Sequence, residues 1–258
     1  MRDFTLTTYR HLLDAFSQSG YEFTTFGDYV RDSRRRGHRV VILRHDVDRR
    51  PGQAVEMANL EHEVGVRATY FFRVAPESFN ELHINTIAEM DHEIGYHYED
   101  LTLARGNVDE AVALFEKNLK TLRSLQPIST ICMHGSPLTR WDNRSLWDHV
   151  DYRSYGIIGE PYFDVDYEKV LYITDTGRAW NNDRYSLRDR VGAANSTQFA
   201  SSRLLAESIK AGKLPAQVML NTHPQRWTDN TYEWGREWLF QGMKNRIKYL
   251  VNRLSSRE

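Results

Sequence analysis

Short apolar runs alternate along this chain with segments whose apolar positions recur every three or four residues. Val40-Val41-Ile42-Leu43 reads as a buried strand. Pro51 suits a first helical turn and opens a helix to about Val64, with Gly65 as its cap. Ala68-Thr69-Tyr70-Phe71-Phe72, aromatic and β-branched, is a second strand, and a helix near 82–90 leads to a third over Glu93 to Tyr98. Residues 107–126 make the clearest helix, with Ala111, Leu114, Phe115, Leu119, Leu122 and Leu125 on one stripe until Pro127 ends it. Further strands are predicted at 128–133, 170–174 and 217–221, the last preceded by a helix over about 196–211. The stretch 231–253 sets Trp234, Trp238, Met243, Ile247 and Leu250 among basic residues and reads as a packed surface helix. This alternation predicts an α/β protein with a parallel sheet, either open or closed into a barrel. A single domain is expected, with 1–37 an N-terminal helical extension and 228–258 a C-terminal packing helix.

The chain has 258 residues, 40% of them hydrophobic and 27% charged, with a formal net charge of -1, so no global field draws in nucleic acid. Arg34-Arg35-Arg36 is the one dense basic run and reads as a solvated turn, not a nucleic-acid site. No apolar run approaches the roughly 18 residues of a membrane span, and the N-terminus lacks the pattern of a secretory signal. Cys132, the single cysteine, lies in an apolar stretch and reads as a buried structural thiol, which suits a cytoplasmic location. No G-x-G-x-x-G follows a predicted strand and no P-loop occurs, which argues against dinucleotide and P-loop sites.

In parallel α/β proteins the chemistry sits at the carboxyl ends of the strands. Those ends carry His45, Asp46 and Asp48; then His97, Glu99 and Asp100; then His134; then Asp175 and Arg178; and finally His223. Side chains two apart on an extended chain point the same way, so Asp46 and Asp48 share one face while His45 turns to the other. Two carboxylates that close do not both stay ionised cheaply without a cation, and a divalent metal resolves the conflict. An N-cap or a loop ion pair with Arg49 or Arg50 is the structural alternative for this pair.

Arg44-His45-Asp46-Val47-Asp48 resembles the first motif of the polysaccharide deacetylases, the NodB-homology proteins or family 4 carbohydrate esterases. Gly65 to Phe72 is similar to that family's second strand. Asp91-His92-Glu93-Ile94-Gly95-Tyr96-His97 resembles the approach to its H-x-x-x-H motif, and Leu220-Asn221-Thr222-His223-Pro224 its late strand. The resemblance runs in order from Arg44 to about Leu101 and continues as isolated motifs to His223. It implies a distorted (β/α) barrel of about seven parallel strands. It also implies a metal-dependent hydrolase that removes an acetyl or formyl group from nitrogen on an amino sugar or glycan precursor. Asp46 would be the base, Asp48 and His97 ligands of a zinc-like ion, and His223 the acid.

Four residues after His97 the family pattern has histidine and this chain has Leu101, which cannot bind metal. His134 and Glu99 are the candidates for the third ligand, with His134 preferred because a second nitrogen keeps a two-histidine, one-carboxylate set. Arg178 or Arg140 would hold Asp46 ionised or grip a substrate anion. Glu99, Arg140, Trp141, Asp175 and Trp180 are the expected substrate contacts, in a segment rich enough in aromatic residues to stack on sugar rings. An aromatic mini-core is the alternative for that segment, and Asp164-Val165-Asp166 within it is a weaker candidate for a second acidic lobe. Two other functions remain open on the sequence. One is a carbohydrate-binding or regulatory protein with a degraded site; the other is a hydrolase of small amides or imides. The terminal tryptophan-bearing helix offers a surface for a second subunit.

Overall fold

A computed structural model describes residues 2–32, 37–135, 139–181 and 198–255, with side chains as far as 246 in the last of these. The chain opens with α1 (Leu6–Gln18), β1 (Glu22–Thr24) and α2 (Phe26–Arg31). Three strand–helix steps and a further strand follow: β2 (Val40–Val47), α3 (Pro51–Glu63), β3 (Thr69–Phe72), α4 (Glu81–Glu89), β4 (Glu93–Tyr98), α5 (Asp100–Leu103), α6 (Val108–Arg123) and β5 (Ile131–Met133). Two 3-10 turns and α7 (Pro161–Asp164) lead to β6 (Leu171–Thr174), α8 (Ser202–Lys210), β7 (Gln217–Thr222) and α9 (Thr231–Ser255).

The strands form one parallel sheet in the order β5-β4-β3-β2-β7-β6, with β1 also paired to β2. This is the cyclic order of a barrel, but among the described residues no pairing joins β5 to β6. The sheet is therefore a curled half-barrel, as the distorted barrel expectation requires. The N-terminal segment is more than a helical extension. Glu22 to Thr24 pair with Val40 to Ile42, so β1 completes the edge of β2 that β3 takes up from Arg44 onward. A three-residue strand is too short for its alternation to be legible.

Each face of the sheet has its own core. Val41, Leu43, Tyr70, Phe72, Tyr96 and Leu220 pack outward against the helices, while Val40, Ile42, Phe71, Cys132 and Met219 fill the concave side. Gly95 sits where the Phe71 ring crosses it, and a Cβ there would collide with that ring. Further along the same alternate positions the concave face turns polar: Arg44 and Asp46, His97, Asn221. The two-residue period thus carries the apolar floor of the half-barrel directly into its mouth.

Helix α9 departs from expectation. Among its described side chains the buried ones are Glu237 and Gln241, whereas Tyr232, Trp238, Leu239 and Met243 are exposed; Ile247 and Leu250 lie outside the described side chains. Glu237 is drawn inward by Arg49, which donates to both its oxygens at 2.7 Å, and Asn245 donates to the Gly177 carbonyl at 2.9 Å. No described helix is long and apolar enough to cross a membrane. Arg34 to Arg36 lie outside the described residues.

Candidate metal centre

β2 delivers the carboxylates. Asp46 lies one residue before the end of the strand, where Asn221 Nδ2 donates to its Oδ2 at 2.9 Å and Arg44 Nη2 lies 3.6 Å away. Its Oδ1 is buried and has no hydrogen-bond partner. Arg44 is fully buried, and although burial opposes its charge, Asp46, Cys132 and nearby tyrosine hydroxyls hold its pKa above the ordinary arginine value. His45 turns to the other side, between Glu61 Oε1 at 2.8 Å and Thr222 Oγ1 at 2.7 Å.

Asp48, one step further, meets imidazoles from three other strand ends. His97 Nε2 lies 3.5 Å and His134 Nε2 3.6 Å from its Oδ1, and His223 Nε2 lies 4.0 Å from its Oδ2. In every case the other ring nitrogen is already engaged. His97 Nδ1 donates to the Cys132 carbonyl at 3.0 Å, His134 Nδ1 meets Glu99 Oε2 at 2.8 Å, and His223 Nδ1 meets Asp175 Oδ1 at 2.6 Å. A partner on Nδ1 fixes the tautomer and leaves the Nε2 lone pair for a cation, as metal-ligating histidines require. Asp48, His97 and His134 offer three ligand atoms within 4.8 Å of one another. Asp48 Oδ1, although buried, has no hydrogen-bond partner, and Gln225 Nε2 donates to Oδ2 at 3.1 Å. Burial alone would raise the Asp48 pKa, but the facing imidazoles of His97, His223 and His134 hold it well below the carboxylate range. The group is an anion ringed by nitrogen lone pairs, which fits a divalent ion of zinc type.

A second group, Asp46, His97 and Cys132, also has ligand atoms within that range. It is the poorer site. Burial pushes the Cys132 thiol well above its ordinary pKa, Arg44 lies against the sulfur, and His97 Nδ1 is committed to the Cys132 carbonyl. Cys132 is the buried structural thiol that its apolar setting predicts.

His134, not Glu99, is therefore the group that joins Asp48 and His97. Leu101 is buried in the core at the start of α5. Several expected substrate contacts have other work. Glu99 is taken up by His134 and by two bonds from Arg73, at 2.8 and 2.5 Å, and these partners hold its pKa at about 2 against burial. Asp175 is fully buried and accepts from His223, from Arg226 at 2.5 Å and from Trp227 at 2.7 Å. Despite burial, Arg226 and His223 bring its pKa to about 2, so it is a fixed anion behind His223. Trp180 is only 1% exposed, packs on Phe4 and Trp227, and donates to Ser202, so it presents no face to a sugar.

Arg178 lies over Phe4 and Trp234 and not on Asp46, whose partners are Arg44 and Asn221. Arg140 is exposed over the Trp141 ring, and that indole covers Gly106; neither residue has a described contact with the carboxylates or histidines of the centre. Much of the aromatic segment is a mini-core, with Trp147 at 4.8 Å from Phe115, 5.3 Å from Tyr98 and 5.5 Å from Tyr152. Asp164 caps it through Tyr152, Arg153 and the Glu160 amide, so Asp164 is no part of a second acidic lobe.

Sequence reasoning missed Arg44, Asn221, Gln225 and Arg226. Arg44 and Asn221 were open to detection, because each lies two residues before a chosen group on the same strand face. Compared with known proteins, the chain matches no family model and no curated protein.

Proposed function

We propose that the chain is a metal-dependent hydrolase that removes an N-acyl group, acetyl or formyl, from an amino sugar or glycan precursor in the cytoplasm. The observation that carries this reading is the convergence of three imidazole Nε2 atoms on Asp48, each with its Nδ1 already occupied. Asp48, His97 and His134 would hold the ion, and zinc suits their donor set. A bound divalent ion polarises the acyl carbonyl and acidifies the attacking water.

The remaining groups divide the proton work. Asp46 has one oxygen held by Asn221 and the other without a partner, so Oδ1 is the atom that receives the proton of the attacking water. Arg44 keeps Asp46 in place and balances its charge inside the half-barrel. His223, backed by the Asp175 anion, donates from Nε2 to the leaving amine.

The test combines elemental analysis with a panel of N-acetyl and N-formyl amino sugars. Purified protein supplied with zinc is expected to hold one ion per chain and to release amine from a panel member, with chelation abolishing release. Protein that retains no zinc and releases no amine after zinc addition would overturn the reading.

A further inference from the structure

Beside the metal centre the chain gathers cations for which the deacylation scheme has no use. Arg49 and Arg50 directly follow Asp48, Arg178 comes from the loop after β6, Arg226 from the turn after β7, and Lys244 from α9. The Arg49 guanidinium and the Lys244 ammonium lie over the same Phe240 ring, 4.3 and 4.6 Å from its centroid. Arg178 lies 4.9 Å over Trp234, six residues before Phe240 on the same helix.

The carboxylates that answer these cations are already spent. Glu237 binds Arg49 at 2.7 Å and lies 4.0 Å from Arg50; Asp175 is taken by Arg226, His223 and Trp227; Asp3 accepts from the Phe4 and Ser202 amides. Arg50 Nη1, Arg178 Nη1 and Arg226 Nε are buried atoms with no hydrogen-bond partner. Burial, together with the neighbouring cations, holds the pKa values of Arg178 and Lys244 below their ordinary values, although Glu237 opposes both shifts. Arg49 follows Asp48 in the chain and shares the Phe240 ring with Lys244, so the cluster borders the metal centre. The Arg49 and Arg50 side chains keep 21% and 24% of their exposure, and Lys244 is exposed, so a ligand can reach them.

Cations brought together from four segments, with guanidinium N–H groups left over, repel one another until an anion joins them. A phosphate carries up to two charges and more acceptor atoms than a carboxylate, and guanidinium groups pair with it bidentately. We propose that Arg49, Arg50, Arg178 and Lys244 form a phosphate subsite beside the metal centre, so that the acylated substrate is a phosphorylated amino sugar and not a neutral glycan. The substrate half of this proposal rests on the hydrolase reading; the phosphate subsite itself does not.

The experiment measures binding by calorimetry to zinc-supplied protein, with N-acetylglucosamine 1-phosphate, N-acetylglucosamine and inorganic phosphate as probes. The variants are Lys244→Glu, on the exposed side of α9, and Arg50→Asn, which tolerates the left-handed backbone at that position (φ 54°). The wild type is expected to bind the phosphorylated sugar at least tenfold more tightly than the neutral one, with inorganic phosphate competing. Each variant is expected to lose that preference with its zinc content unchanged. Equal binding of the two sugars would overturn the proposal, as would a preference that survives both variants, since the phosphate would then be bound elsewhere. Phosphate preference without amine release would uphold the subsite and remove the hydrolase reading. Amine release from neutral sugar without preference would do the reverse.

Discussion

Asp46 faces Asn221 and Arg44, whereas Asp48, two residues on, faces His97, His134 and His223. The proposed division into base and ligand rests on these neighbours. Asp46→Asn is expected to retain one zinc per chain and to lose about 10²–10⁴ in amine release, a split that elemental analysis beside a rate assay reads directly. Glu99 acts through His134, so Glu99→Gln is expected to weaken metal affinity about 10- to 100-fold in a competition titration with a chelator. Glu160 belongs to a different balance. It is fully buried beneath β5, accepting from the Met133 and Tyr162 amides, and burial outweighs these bonds and lifts its pKa to about 7. The folded state therefore holds a proton that the unfolded state releases near pH 4.5. Stability should fall by about 3 kcal/mol as pH rises from about 4.5 to 7, and level off above. Urea unfolding across that range should show this slope in the wild type and a flatter profile in Glu160→Gln.

At the scale of elements, β2 and α6 were legible because their patterns are strong. Alternation along β2 puts Arg44, Asp46 and Asp48 on one face, and the helical stripe of α6 places Ala111, Phe115, Leu119 and Leu122 in the core. α6 starts where Asn107 accepts from the Glu110 amide at 3.2 Å, and Asn107→Ala should cost about 1 kcal/mol in chemical denaturation. Other features depended on partners remote in sequence. Trp180 reads as a cleft aromatic until Phe4 and Trp227 close over it, and Asp175 reads as a substrate contact until Arg226, Trp227 and His223 consume it. α9 reads as a helix packed by its tryptophans, yet the buried Glu237–Arg49 pair orients it the other way and leaves Trp238 exposed. The preference for His134 over Glu99 was legible as ligand chemistry, but the hydrogen bond from the His134 ring to the Glu99 carboxylate is one that no local pattern encodes.

At the scale of the molecule, the half-barrel makes a site from residues far apart in the chain. Its apolar concave floor of Ile42, Phe71, Cys132 and Met219 excludes water, and the next residues along the same strand faces supply carboxylate, imidazole and guanidinium at the mouth. The central claim is that Asp48, His97 and His134 together bind one divalent ion. Crystals grown with zinc and measured by anomalous scattering at its absorption edge test this most directly. A single peak is expected about 2.0–2.2 Å from an Asp48 oxygen and from Nε2 of both His97 and His134. No peak there, or a peak on Asp46 and Cys132 instead, would contradict it.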